Sequence, residues 1–234
     1  MLISELIQRS PIRIFMNSIQ GGLGPGELGI VAAPSGIGKT SVLVQIALDK
    51  LLQGKKVIHI SFTQHTDYVL AWYRDIFNEF IRKKNLENEN DVKNEIVKNR
   101  VLMKFNQEGL TVDQILKSIR ALIREGGFNA ESLIVDGFDF SVAKAEHIAA
   151  FKAFASEMGV SVWCSCTVKG QEPFYDKRNI PLVLKDNEDL FEVVIVLDPQ
   201  PAHITLTVSR DRDTYNPENP ALRLDPKTLL ILEN

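Results

Sequence analysis

Lys39 and Thr40 are the residues whose type and spacing most directly suggest chemistry. They close the stretch Ala33-Pro34-Ser35-Gly36-Ile37-Gly38-Lys39-Thr40-Ser41, which fits a phosphate-binding loop with Ala33 where a first glycine is usual. Small residues let the backbone curl so that several N–H groups point at one anion. The N-terminus of a following helix adds partial positive charge. In such a loop Lys39 is expected to reach the β- and γ-phosphates of a nucleotide, and the Thr40 hydroxyl to ligate Mg²⁺. A chance glycine turn would match part of the pattern, but the flanks argue against it. The apolar run Leu28 to Ala32 precedes the loop as a buried strand, and the helical run Val42 to Leu52 follows it and stops at Gly54.

A second candidate group is Asp136, at the end of the apolar run Leu133-Ile134-Val135-Asp136. A polyphosphate with Mg²⁺ needs a fixed carboxylate at the C-terminal end of a rigid strand beside the loop, and Asp136 is assigned that metal role with Thr40. Asp139 reads instead as a loop carboxylate or helix cap.

The elements that must position these groups alternate along the chain. Strands are expected at Val57 to Phe62, Val101 to Phe105, Leu133 to Val135 and Val160 to Cys166. Helices are expected over Tyr68 to Ile81, from the capping box Thr111-Val112-Asp113-Gln114 to Gly126, and over Ala145 to Met158. Trp72, Tyr73, Phe77 and Phe80 recur at helical spacing and read as core rather than a base-stacking platform. Lys83 to Arg100, rich in Lys, Glu and Asn, reads as a solvated helix or an excursion. Three late strands follow at Phe191 to Leu197, Ile204 to Arg210 and Leu222 to Leu232. The pattern predicts an α/β fold: a mainly parallel sheet with helices on both faces and an antiparallel C-terminal extension. Residues 1–20 form an N-terminal segment too short to fold alone and expected to pack on the core, and 21–234 form one domain.

Composition narrows the function classes. The chain has 234 residues, 44% hydrophobic and 24% charged, with a net charge of −3. No global basic field favours nucleic acid. No run approaches the length that spans a bilayer, and the N-terminus lacks the apolar core of a signal peptide. Two cysteines, Cys164 and Cys166, sit on one strand face at a spacing poor for a disulfide. Buried free thiols and a cytoplasmic location are the expectation.

With these features in order, the chain resembles the RecA-like branch of phosphate-loop ATPases, with the KaiC-type clock ATPases and the replicative hexameric helicases as nearest members. The likeness runs over Gly21 to Glu27, Ala33 to Ser41, Val57 to Gln64, Leu133 to Asp136, Val160 to Gly170 and Ile204 to Arg212. It implies a RecA-like core that binds ATP with Mg²⁺, and often assembly into homo-oligomers in which a neighbour reaches into the active site. Thr167 matches the family's polar sensor position. Arg210 and Arg212 match a basic pair that reaches a neighbour's γ-phosphate; at alternate strand positions they could point the same way. The alternative for that pair is a salt-bridge network with Asp211 and Asp213. The loop Lys169 to Lys185, with Lys177, Arg178, Phe174 and Tyr175, occupies the place where recombinase and helicase relatives touch single-stranded DNA, although Glu172, Asp176 and Asp186 dilute its charge.

One departure bears on chemistry. Family members carry a glutamate after the strand that here is Val57 to Phe62, whereas Thr63 or Gln64 falls in that slot. Gln64 can orient a water by hydrogen bonds but is no general base; Asp67 or His65 are the substitutes within reach by sequence. The expectation is a Mg·ATP-binding ATPase with slow or partner-stimulated hydrolysis. Its rivals are a nucleotide-gated regulatory protein without turnover and an accessory ATPase of DNA recombination or replication.

Overall fold

A computed structural model describes residues 10–63, 65–84, 89–170, 172–217, 222–228 and 230–232. Six helices and nine strands are formed by these residues: α1 (Pro11–Ser18), β1 (Leu28–Ala33), α2 (Lys39–Leu52), β2 (Val57–Ser61), α3 (Thr66–Lys84), α4 (Glu89–Lys98), β3 (Arg100–Lys104), α5 (Val112–Arg124), β4 (Ser132–Asp136), α6 (Ala145–Met158), β5 (Ser161–Thr167), β6 (Val193–Pro199), β7 (Ile204–Asp211), β8 (Thr214–Tyr215) and β9 (Leu222–Leu224). The sheet order is β3-β2-β4-β5-β1-β6-β7-β8, with β9 also on β7. β3 to β6 along this path are mutually parallel. β7, β8 and β9 add antiparallel pairs at one edge. The predicted mixed α/β architecture is therefore observed.

The parallel strands are apolar on both faces because helices cover both. Alternate residues divide between two cores, as the period of two in a strand requires. Val31, Val57, Ile134, Trp163 and Ile195 meet α1 to α4 on one side. Ile30, Ile58, Val135, Cys164 and Val194 meet α5 and α6 on the other. Cys164 and Cys166 are both free and buried, as their spacing suggested.

α2 carries the glycine-rich loop on its N-terminus and is buried on nearly every side, including Gln45 and Asp49. Asp49 is tolerated there because Arg13 of α1 donates to it, Nε to Oδ1 at 3.0 Å. Burial raises the Asp49 pKa, and the Arg13 hydrogen bond works against that rise. α1 starts at Ser10, whose Oγ accepts from the Arg13 amide at 3.1 Å, and buries Ile12, Phe15 and Met16 in the same core as α2.

Several boundaries differ from the sequence expectation. The capping box at Thr111 and Gln114 is present, and Ala145–Met158 is a helix closed by left-handed Gly159. The Lys- and Glu-rich excursion contains a formed helix, α4, because Val92 and Ile96, one turn apart, are buried against the core. The last strand is shorter than expected: β9 stops at Leu224, and Ile231 returns to it only as an isolated bridge. Tyr73 and Phe77 are buried as predicted.

His59 sits in the middle of β2, fully buried, with Nδ1 3.1 Å from the Tyr73 hydroxyl and Nε2 without a hydrogen-bond partner among the described residues. Burial lowers its pKa to about 4, although the Asp136 charge opposes the shift.

Two predictions follow from this packing. A Cβ at Gly29 would lie 2.6 Å from the Trp163 ring and 2.9 Å from Leu23. Gly29→Ala should therefore lower stability by about 1–3 kcal/mol in urea unfolding, and an unchanged midpoint would show that the β1–Trp163 contact is not tight. His59 has a folded pKa below its unfolded value, so the unfolded chain binds the extra proton between pH 6.5 and about 4. Stability should fall as pH drops through that window, at up to about 1.4 kcal/mol per pH unit from this group. Urea midpoints of wild type and His59→Gln should converge toward the acid end; parallel pH profiles would refute the assignment.

Candidate phosphate-binding site

The loop between β1 and α2 folds as its glycines require. Gly36 and Gly38 have φ of 80° and 99°, a region that L side chains rarely enter. Gly38 is the N-cap of α2; no side chain caps the helix, and its first turn carries no acidic residue. Its leading N–H groups are thus left to an anion.

Lys39 folds back over the loop. Its Nζ donates to the Ala33 carbonyl at 3.0 Å and to the Pro34 carbonyl at 2.8 Å. Burial pushes its pKa down, while Cys166 and the Asp136 carboxylate pull it back up. Ala33 also accepts from the Val168 amide at 3.1 Å, so the loop start is tied to the end of β5.

Asp136 ends β4, beside Ser61 of β2 in register, and is 3% exposed. Its two oxygens are shared between two hydroxyls. Thr40 donates to Oδ2 at 2.9 Å and Ser165 donates to Oδ1 at 2.8 Å. The Gly137 amide in turn donates to Ser165 Oγ at 2.7 Å. A buried carboxylate without such donors would be costly. The hydroxyl and carboxylate oxygens of Thr40 and Asp136 are hard donors that suit Mg²⁺, so the donor set fits the ion.

These groups line one open cavity of about 390 Å³. Of the loop residues singled out from sequence, Ser35, Gly36, Gly38, Lys39, Thr40 and Ser41 face it, together with Asp136 and Thr167. Ala33 and Pro34 contribute the carbonyls that hold Lys39, and Ile37 packs partly buried against the core. Thr167 stands beside Ala33 across the β1–β5 pairing.

The candidate catalytic residues outside the loop are placed differently. Gln64 lies outside the described residues. Thr63 lines the cavity beside Gly137, where a Cβ would fall 2.5 Å from the Thr63 hydroxyl. Asp67 is directed away: its side chain is 80% exposed, pairs with His65 at 3.2 Å, and borders a groove between α3 and α4.

Arg210 and Arg212 do not share a direction. β7 ends at Asp211, and Arg212 adopts φ of 54°, which breaks the strand alternation on which the shared direction rested. Arg210 is 8% exposed; its Nε donates to the Arg212 carbonyl at 2.7 Å and its guanidinium lies over the Tyr215 ring. Arg212 donates to both Glu27 oxygens, to Asp211 and to the Gly22 carbonyl. The partner in this network is Glu27 alongside Asp211. In the loop after β5, Arg178 is bound to Asp176 and Glu188, and Lys169 to Asp139 at 2.7 Å.

Sequence reading missed Ser165, Trp72 and the cavity position of Lys169 and Asp139. Ser165 was reachable: it lies two residues before Thr167 on the same strand face. The place of Trp72 depends on how α3 sits over the loop, which no local pattern encodes.

No protein-family model matches the chain. No curated protein matches it either. Among solved structures it is similar to a KaiC-like protein from the hyperthermophilic archaeon Pyrococcus horikoshii, with a TM-score of 0.65 and 16% sequence identity over 94% of this chain and 95% of that one. The chain accordingly shares the α/β fold of that KaiC-like protein.

Proposed function

We propose that the protein is a Mg·ATP-binding ATPase of RecA-like fold whose hydrolysis is slow or stimulated by a partner. The observation that carries this reading is the convergence of Lys39, the uncapped α2 N-terminus and the Thr40–Asp136 pair on one cavity. The loop amides and Lys39 would hold the β- and γ-phosphates. Thr40 and Asp136 would hold Mg²⁺, which would neutralise charge developing on the transferred phosphoryl group. Ser165 keeps the Asp136 carboxylate turned toward Thr40.

Slow turnover is inferred from the water side of the site. Thr63 or Gln64 falls where RecA-like ATPases carry a strand-end glutamate; Thr63 lines the cavity, and Asp67 faces solvent. Positioning and electrostatic stabilisation supply most of phosphoryl-transfer catalysis, so hydrolysis survives without a strong base. The same observation supports the rival reading, a nucleotide-gated regulatory protein without turnover. Cytoplasmic location and homo-oligomeric assembly remain parts of the proposal. Among the described residues no helix is long and apolar enough to cross a membrane. A role for Arg210 or Arg212 in a neighbour's site would require breaking their present bonds. Contact with single-stranded DNA is left to the exposed Lys177 and Lys185, because Arg178 and Lys169 are engaged within the chain.

Steady-state phosphate release separates the two readings. Wild type should exceed a Lys39→Ala blank, and Asp136→Asn should fall to that blank, a loss of about 100-fold or more. Wild type equal to the blank, with ATP still bound, would establish the regulatory reading. Binding itself has an internal reporter: of the two tryptophans, Trp72 borders the cavity and Trp163 is fully buried. Mg·ATP should change the fluorescence of wild type and not of Trp72→Phe. A response retained in Trp72→Phe would place the nucleotide elsewhere.

A further inference from the structure

The mouth of the phosphate cavity holds an ion pair that the roles above leave unused. Lys169 Nζ donates to Asp139 Oδ2 at 2.7 Å, and both residues line the cavity. The two partners are not equally free. Asp139 is fixed at its backbone by Gln107, which accepts from the Asp139 amide at 2.8 Å and donates to its carbonyl at 3.3 Å. Its carboxylate also accepts from the Ser141 amide at 2.9 Å and the Ser141 hydroxyl at 2.6 Å. Lys169 is the looser member, with a side chain 53% exposed on a long stem.

The root of that stem is close to the phosphate loop. Thr167 pairs with Ala33, and the Val168 amide donates to the Ala33 carbonyl. Lys169 therefore leaves the sheet beside the start of the loop, and Gly170, with φ of 111°, turns the chain away immediately after it. Four charged side chains border the cavity among the described residues: Lys39, Asp136, Asp139 and Lys169. Lys39 and Asp136 already have roles in the reading above, on the β- and γ-phosphates and on Mg²⁺. Lys169 is the remaining cation, held at present by one half-buried carboxylate that an anionic ligand can replace. A terminal phosphate is a stronger competitor than that carboxylate, since it carries more charge and more acceptor oxygens.

We infer that Lys169 exchanges Asp139 for the terminal phosphate of a bound nucleoside triphosphate, and so makes the site favour triphosphate over diphosphate. The inference rests on the nucleotide-binding reading above. Asp139 holds the lysine at the mouth and masks it until a triphosphate competes for it. With the triphosphate bound, Lys169 adds a charge-assisted hydrogen bond that the diphosphate, lacking the terminal group, does not receive. Asp139 is then a competitor for the lysine, so removing its charge strengthens triphosphate binding. Opposite effects of the two substitutions distinguish an exchange from a merely structural ion pair, in which either loss would act in the same direction.

The test is equilibrium binding of Mg·ADP and of a non-hydrolysable Mg·ATP analogue to the full chain, with wild type, Lys169→Met, Asp139→Asn and Lys39→Ala compared. Lys169→Met should weaken the triphosphate analogue about ten-fold or more and leave ADP within about two-fold. Asp139→Asn should tighten the analogue and leave ADP unchanged. Equal loss of both nucleotides in Lys169→Met overturns the exchange, as does an unchanged analogue affinity while Lys39→Ala abolishes binding. Wild type that binds neither nucleotide overturns the proposed function itself, and the exchange with it.

Discussion

The Asp136 carboxylate is the constraint on which the rest of the site depends. It is nearly excluded from water at the end of a central strand, where an unpartnered charge would be expensive. Two hydroxyls from different elements satisfy it: Thr40 from the first turn of α2 and Ser165 from β5. That arrangement fixes α2 and the glycine-rich loop against two neighbouring strands. It also fixes the direction of the carboxylate, since each oxygen already has an owner. Lys39 closes the same unit from the other side by gripping the carbonyls at the loop's start.

The surrounding fold packs around this unit. α2 is wrapped by the sheet, α1 and α3, so the loop projects from a buried helix rather than from a surface one. Trp163, filling the space left by Gly29, packs the strand below the loop. His59 and Tyr73 lie buried on the same side of the sheet, the imidazole kept neutral by burial. Away from the site, Arg212 ties the end of β7 to the glycine-rich entry turn through Glu27 and Gly22, and Arg210 ties it to the loop after β5 through the Glu188 carbonyl. In this chain the two arginines act as braces between segments far apart in sequence.

Much of this was readable before the structure, and the reasons differ by residue. The phosphate loop, its flanking strand and helix, and Asp136 are local patterns, so spacing alone placed them. The two-sided burial of the strands made their apolar runs conspicuous. Helix α4 was ambiguous because only two of its residues are buried, and its charged surface hid them. The direction of Arg212 was not readable, because alternation holds only while the strand lasts, and a left-handed residue ends it. The bearing of Asp67 away from the cavity, and of Lys169 and Trp72 toward it, depends on how loops and helices settle over the sheet edge. Such placements are set by tertiary packing and leave no periodic trace.

The most direct measurement is calorimetric titration of nucleotide-free, folded protein with ATP in the presence and absence of Mg²⁺. Saturable binding at one site per chain, strengthened by Mg²⁺ in wild type and not in Thr40→Ala, is the expected result. The absence of any binding of ATP, ADP or GTP with Mg²⁺ would contradict the claim that this loop holds a polyphosphate.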